Sequence, residues 1–279
     1  MSDLRIKEYL SRIGIRRIHE LDTALLETFG QEAGEKHIER LTELYDQSEI
    51  RLVYGSKITP YLRRQEELVD YLNQSLQMSL LAASFYDCIF FRRVMEYLLR
   101  YETFWEGDIL DMGCGNGILT CFLAQIHPDS FVTGVDLSKK AVSAAEELAG
   151  RLQADNVRFS CPQAMQQKKY DTLFSCRTVH ENVACMPLAK EINEPGPAAL
   201  SIDRQAKRYG QYVKGLSAYV KKHGYLVSVE RYEDGNAYAG LVLALEDAGF
   251  SQVRGTYMQF SCKNGDETAT FQAVIFQKG

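Results

Sequence analysis

The sequence predicts an α/β protein whose seven-stranded, mostly parallel sheet has helices on both faces and follows a helical N-terminal region. An apolar run at Asp108–Met112 breaks into alternating glycines and then resumes at helical spacing, which indicates strand, tight turn and helix. Four further strand-like runs follow it. Near the C-terminus, Val253–Ser261 and Thr268–Gln277 alternate apolar and polar residues around an Asn-Gly pair, a pattern typical of an antiparallel hairpin.

The N-terminal third of the chain has the spacing of helices, with apolar residues recurring every three or four positions. Between Leu76 and Phe104 apolar residues occupy more than one helical face, so both sides need a covering. We expect the sheet on one side and further helices, or a second subunit, on the other. We therefore predict a helical region at 1–104 and a sheet domain at 105–279.

Three glycines follow the first predicted strand, at Gly113, Gly115 and Gly117. Because glycine has no Cβ, the backbone there can adopt positive φ and let a ligand lie against its amides. The next helix offers unpaired N–H groups that suit a carboxylate or a phosphate. Dinucleotide-binding proteins would place the third glycine at the position of Ile118, one residue later.

The spacing instead resembles the Asp/Glu-x-Gly-x-Gly-x-Gly sequence of class I, Rossmann-like methyltransferases that use S-adenosylmethionine (SAM) and release S-adenosylhomocysteine. Those enzymes carry an acid at the end of the second strand, where Asp136 stands here. The resemblance implies that the glycine loop wraps the methionine part of SAM, that Asp136 binds the ribose and that Leu137 packs on the adenine. The cofactor residues it implies are Asp111, Gly113, Cys114, Gly115, Asn116, Gly117, Asp136, Leu137, Gln163 and Cys176.

Two positions depart from that family's pattern. After the third strand the family often has an acid that binds the adenine amine, whereas this chain has Gln163, whose amide is our candidate for that bond. An ordinary surface turn would have the same sequence. The Asn/Asp-Pro-Pro-Tyr/Phe sequence of nucleobase and amide N-methylating relatives is absent after the fourth strand, which argues against nucleic acid as acceptor.

The turn Arg177–Asn182 follows the fourth predicted strand, Tyr170–Cys176. Ligands of open α/β sheets bind outside the carboxyl ends of the strands, so this turn should face the methyl group. We predict His180 as a general base, because imidazole titrates near neutral pH, and Arg177 as a residue that orients the substrate. A packing or hydrogen-bonding role for His180 is the alternative. The proline-bearing stretch Ala184–Tyr209 is expected to shape the acceptor pocket.

The composition and net charge of the chain indicate which binding partners and which compartment to expect. A net charge of −5 and a pI of about 5.7 give no electrostatic reason to expect nucleic acid. The charged N-terminus, without a signal peptide or a long apolar run, predicts a cytoplasmic protein and no membrane span. Seven cysteines without a Cys-x-x-Cys pair indicate neither disulfides nor a metal site.

The activity predicted is methyl transfer from SAM to an oxygen or nitrogen of a small molecule. Helical N-terminal regions of similar enzymes act as lids over SAM or as dimer arms, so a homodimer through these helices is a second expectation. A purely stabilising helical cap has the same sequence pattern. The competing functions are methylation of protein or RNA, and SAM binding without catalysis.

Overall fold

The structure is a computed structural model that describes residues 2–54, 67–165, 168–179, 201–232, 235–264 and 267–279. Its helices are α1 Ser2–Arg12, α2 Leu21–Phe29, α3 Gln31–Tyr54, α4 Leu76–Ala82, α5 Cys88–Arg100, α6 Ile118–Ile126, α7 Lys139–Leu152, α8 Ile202–Tyr219 and α9 Gly235–Asp247. Its strands are β1 Asp108–Met112, β2 Phe131–Val135, β3 Val157–Ser160, β4 Tyr170–Cys176, β5 Val220–Arg231, β6 Phe250–Gln252, β7 Met258–Asn264 and β8 Glu267–Lys278. Residues 67–72 are also helical.

The strands form one sheet in the order β3-β2-β1-β4-β5-β8-β6, with β7 paired to β8. Strands β1 to β5 run parallel, and β8 runs antiparallel to its neighbours. The predicted fold, a mostly parallel sheet with an antiparallel C-terminal hairpin, is confirmed. The carboxyl ends of β1, β2 and β4 consequently meet at one edge, where the glycine loop begins.

The outer edge of the sheet differs in one detail from the prediction of seven strands. Strands β6 and β7 pair with the same edge of β8, so two short strands occupy the seventh position. Between them the Thr256 hydroxyl accepts a hydrogen bond from the amide of Ile275 at 3.2 Å and so replaces a backbone partner. Gly255 has a φ of +79° in this break. The predicted strand Val253–Ser261 is therefore wrong at its start, because it begins after β6 has ended and only Met258–Ser261 lies in β7.

The predicted helix Ala206–Lys222 ends earlier than expected, at Tyr219, and β5 begins at Val220. The apolar spacing of a helix continues to this point, but Val220 pairs with Tyr170 of β4. A shift in register follows this pair before regular pairing resumes at Tyr225. Pairing with a neighbouring strand therefore overrides the local helical pattern.

Helices cover both faces of the sheet. Helices α1, α5, α6 and α7 contribute to one buried cluster with sheet residues, and α8 and α9 form the second cluster on the other face. Within the first cluster the hydroxyl of Tyr9, on α1, donates to the carbonyl oxygen of Ile118 at the start of α6, at 2.6 Å. The N-terminal helices thus share a core with the sheet. The division at residue 104 stays a prediction.

Among the described residues, every helix is too short or too polar to span a membrane.

Candidate cofactor and active site

The glycine loop connects β1 to α6 and is fastened to the end of β2. The amides of Gly113 and Cys114 both donate to the carbonyl oxygen of Val135, at 2.7 and 3.0 Å. Gly113, Gly115 and Gly117 have φ values of +78°, +52° and +77°. All three therefore adopt the left-handed conformation that favours glycine, as the sequence predicts for a tight turn.

The three glycines have different surroundings. A Cβ on Gly113 would overlap the Thr178 side chain, and a Cβ on Gly117 would lie 2.7 Å from the Ala145 Cβ on α7. A Cβ on Gly115 would meet no atom of the described residues within 4 Å. Gly113 and Gly117 are therefore required for packing of the protein itself. Gly115 is the glycine beside which the structure leaves room for a ligand.

Asp136 follows β2 and faces the glycine loop. Its Oδ2 accepts from the amide of Gly115 at 2.8 Å, and its Oδ1 accepts from the amide of Ser138 at 2.9 Å. Burial raises the pKa of Asp136, while these backbone hydrogen bonds oppose the rise. Leu137 beside it is 73% exposed. The carboxylate and an apolar surface thus lie where the ribose and adenine roles were predicted, and those roles stay predictions.

Asp111 lies on β1 and is only 2% exposed. The hydroxyl of Thr120, on α6, donates to its Oδ2 at 2.5 Å. Burial is the largest cause that raises the pKa of Asp111 to about 7, the Thr120 hydrogen bond opposes it and the charge of Asp136 adds to it. The carboxyl group therefore fastens α6 to the sheet in this structure. Its predicted contact with the methionine part of SAM stays a prediction.

Asn116 is held on both sides of its side-chain amide. Its Nδ2 donates to the Ser79 hydroxyl at 2.8 Å, and its Oδ1 accepts from the amide of Ile118 at 3.4 Å. Gln163 lies exposed in the 3-10 turn Pro162–Ala164 that follows β3. The structure thus brings Asn116 into the loop network and leaves Gln163 at the surface.

Two predicted site cysteines have free thiols, of which Cys114 is buried and Cys176 is half-buried. Burial raises the pKa of Cys114, in the loop, and of Cys176, at the end of β4, well above the ordinary value. Both side chains are consequently neutral at physiological pH, so neither is a thiolate nucleophile. The six cysteines within the described ranges are all free. The same part of the chain holds no cluster of three or more His, Cys, Asp or Glu suited to a metal ion.

Arg177 directly follows β4 and has a φ of +60°, unusual for a residue with a side chain. Its Nη1 lies 2.8 Å from the Asp87 Oδ1, and its guanidinium lies 5.2 Å from the centre of the Phe90 ring. Asp87 ends a π-helical turn, Ala83–Asp87, and such turns are frequent at functional sites. The structure therefore attaches Arg177 to the N-terminal region. The predicted base, His180, lies outside the described residues.

Glu230, near the end of β5, was missed by the sequence interpretation. It is fully buried, and its Oε1 accepts from the amides of Thr178 and Val179 at 3.0 and 3.1 Å and from the Ser175 hydroxyl at 3.2 Å. Glu230 thereby fixes the backbone of Thr178 and Val179, shortly after the end of β4. The sequence does contain a signal for this residue, because Glu230 is a charged residue at the end of an apolar strand, on the edge of the sheet where ligands bind.

A family model described as a methyltransferase domain matches residues 106–233. This range begins just before β1 and contains the glycine loop, Asp136 and the turn after β4.

Residues 106–233 thus carry the methyltransferase domain that this model describes.

Curated relatives of this chain have different acceptors in their names. A malonyl-[acyl-carrier protein] O-methyltransferase of Acetivibrio thermocellus is 36% identical over 74 residues, which cover 25% of each chain. A ribosomal RNA large subunit methyltransferase G of Vibrio cholerae is 27% identical over 151 residues, 48% of this chain and 35% of that protein. The chain thus spans about a quarter to a third of the length of these relatives.

Among solved structures, mitomycin 7-O-methyltransferase matches this chain with a TM-score of 0.52 and 12% identity, over 93% of this chain and 71% of that chain. At this identity the similarity shows the fold.

Proposed function

We propose that the protein transfers a methyl group from SAM to an oxygen or nitrogen of a small-molecule acceptor. The observation that carries this proposal is the 2.8 Å contact between Arg177 and Asp87. It brings the N-terminal π-helical turn to the carboxyl end of β4, beside which the methyl group of SAM is expected. An acceptor site bordered by helices on this side suits a compact molecule better than a long polymer.

The transfer is an in-line displacement. The bond between sulfur and the methyl carbon breaks as the bond from the acceptor forms, and its electron pair stays on sulfur, giving S-adenosylhomocysteine. The protein mainly has to align the two reactants and exclude water. An acceptor that arrives protonated also loses a proton, which His180 would take as general base. Arg177 would orient the acceptor. We propose that the acceptor pocket lies between Arg177–Asn182, Ala184–Tyr209 and the N-terminal helices, and residues 180–200 of these segments lie outside the described residues.

Other acceptors and assemblies are part of the test. The names of relatives include methyltransferases of a carrier protein and of ribosomal RNA. The net charge of −5 supports a small molecule over RNA. A homodimer through the N-terminal helices remains part of the proposal, as does a cytoplasmic location, for which the free cysteines of the described ranges are the support.

The test is S-adenosylhomocysteine release with phenols, carboxylic acids and amines, with peptides and ribosomal RNA assayed in parallel. Once an acceptor is found, His180→Ala should lower kcat by about 10²–10⁴ and leave SAM affinity unchanged, because the base acts only on the acceptor. The control is His19→Ala, which removes an exposed imidazole in the N-terminal region. Activity confined to peptides or RNA would contradict the acceptor class, and SAM binding without any turnover would contradict catalysis.

A further inference from the structure

A chain of hydrogen bonds, which we name the Asp70 relay, joins the N-terminal region to the glycine loop. The Ser138 hydroxyl donates to the Asp70 Oδ1 at 2.7 Å, and the Ser138 amide donates to the Asp136 Oδ1 at 2.9 Å. The other oxygen of Asp136 holds the amide of Gly115 at 2.8 Å. Asp70 thus connects, through two intermediate residues, to the glycine beside which the loop leaves space.

The Ser138 hydroxyl has a second function at this position. It accepts a hydrogen bond from the amide of Ala141 at 3.2 Å and so caps the start of α7. A hydroxyl has a single proton to donate, and here that proton goes to Asp70. Asp70 therefore fixes the rotation of the Ser138 hydroxyl and, with it, the start of α7 next to Asp136.

A second chain, the Ser79 relay, reaches the loop from α4. The Ser79 hydroxyl donates to the Asn73 Oδ1 and accepts from the Asn116 Nδ2, both at 2.8 Å. Ser79 is only 2% exposed, so water does not readily replace these partners. Asn116 stands between Gly115 and Gly117, and the relay consequently holds the middle of the glycine loop.

We propose that Asp70 and Ser79 are positioning residues for SAM. They hold Ser138 and Asn116, and thereby keep Asp136 and Gly115 in the binding geometry before the cofactor arrives. Ordering a loop during binding costs affinity, so a loop that is already ordered binds more tightly. Because such coupling is reciprocal, bound SAM should also stabilise the segment 67–82. The N-terminal region is then part of the cofactor site.

The first test measures SAM and S-adenosylhomocysteine affinity by calorimetry for Asp70→Ala, Asp70→Asn and Glu67→Ala. Asp70→Ala should weaken the binding of both ligands three- to tenfold, as expected for the loss of about one hydrogen bond. Asp70→Asn keeps an oxygen that accepts from Ser138 and should stay within twofold of the unchanged chain. Glu67 is an exposed acid in the same helical segment, so Glu67→Ala removes an equal charge and should leave the affinity for both ligands unchanged. Thermal unfolding without ligand verifies that each variant is folded.

The second test asks whether Asp70 acts through Ser138. In a Ser138→Ala background, Asp70→Ala should cause no further loss of affinity, because the link is already broken. An equal loss in both backgrounds would contradict the relay. For the second chain, Ser79→Ala should weaken SAM three- to tenfold. The control for this variant is Gln77→Ala, on the exposed side of α4. The Gln77 amide lies 3.5 Å from the carbonyl oxygen of Thr28. Gln77→Ala should leave SAM affinity unchanged.

Hydrogen exchange gives an independent readout. SAM should slow exchange of the backbone amides in 67–82 of the unchanged chain, and it should slow them less in Asp70→Ala. Exchange that SAM does not alter, or equal SAM affinity in Asp70→Ala and the unchanged chain, would overturn the proposal while the cofactor assignment stands. An unchanged chain that bound neither ligand would overturn both.

Discussion

Gly115 and Asp136 are 21 residues apart in sequence and share a hydrogen bond of 2.8 Å from the glycine amide to the carboxylate Oδ2. The bond joins the predicted ribose-binding acid to the one loop glycine that has open space beside it. Asp136 therefore has two functions in our interpretation. It shapes the loop in the absence of cofactor and offers its carboxylate to the ribose.

Replacing Asp136 tests this double function. Asp136→Ala removes the partner of the Gly115 amide and the acceptor for the ribose, so SAM affinity should fall by about 1.5–3 kcal/mol, roughly 10- to 150-fold. Calorimetry with SAM is the measurement. Asp129→Ala, which removes an exposed acid before β2, is the control and should bind as the unchanged chain does. Equal affinity in Asp136→Ala would place the ribose acid elsewhere.

Alanine at two of the glycines should separate ligand binding from packing. Gly115→Ala places a methyl group in open space at a φ of +52°, so it should cost about 1–2 kcal/mol of stability and also weaken SAM at least tenfold. Gly117→Ala combines the same strain with a contact of 2.7 Å to Ala145 and should destabilise the fold more.

Urea unfolding and calorimetry on both variants are the measurements for this pair. Gly210→Ala, in the middle of α8 and with no described atom near its added Cβ, is the control and should stabilise the chain by about 0.5–1 kcal/mol. If Gly115→Ala bound SAM normally, the open space beside Gly115 would not be the ligand position.

The fold and the cofactor loop were predictable because their signals are local. The loop glycines permit positive φ at three alternating positions, and Asp136 ends an apolar run that is typical of a strand. The same reasoning identified β1 to β4 with bounds close to those observed. The period of apolar residues and the backbone geometry that a few residues favour are sufficient to predict such elements.

The rest depends on contacts between distant residues. Glu230 meets the amide of Thr178 across 52 positions of sequence, and Arg177 meets Asp87 across 90. No periodicity encodes such pairs. The strand predicted at Val253–Ser261 missed β6 and crossed the break before β7, because the break depends on the contact of Thr256 with the distant Ile275. The role of His180, outside the described residues, stays a prediction.

Glu230 should contribute strongly to stability through the turn after β4. Glu230→Ala leaves the buried amides of Thr178 and Val179 without their carboxylate, so the free energy of unfolding should fall by about 3 kcal/mol. Glu230→Gln keeps one oxygen for these amides and should lose less. Urea unfolding is the measurement, with the exposed Glu246→Ala as control. A loss no larger than that of the control would show that other contacts hold this turn.

Asp111 should make stability depend on pH. Burial raises its folded pKa from 3.8 to about 7, so between these values the folded chain binds a proton that the unfolded chain releases. The stabilisation is complete below pH 4 and is lost as pH rises towards 7, at up to about 1.4 kcal/mol per pH unit from this residue.

The comparison with Asp111→Asn isolates this contribution, because the amide has nearly the same shape and does not titrate. The free energy of unfolding of both chains is measured with urea from pH 4 to 8. Between pH 4 and 7 that of the unchanged chain should fall by a few kcal/mol relative to that of the variant, and above pH 7 the difference should change little. Thr120→Val removes the hydroxyl that lowers the Asp111 pKa, so it should move the upper limit of this window to higher pH. A difference between the unchanged chain and Asp111→Asn that stays constant with pH would mean that Asp111 is ionised throughout, and that α6 is fastened to β1 by a charged carboxylate.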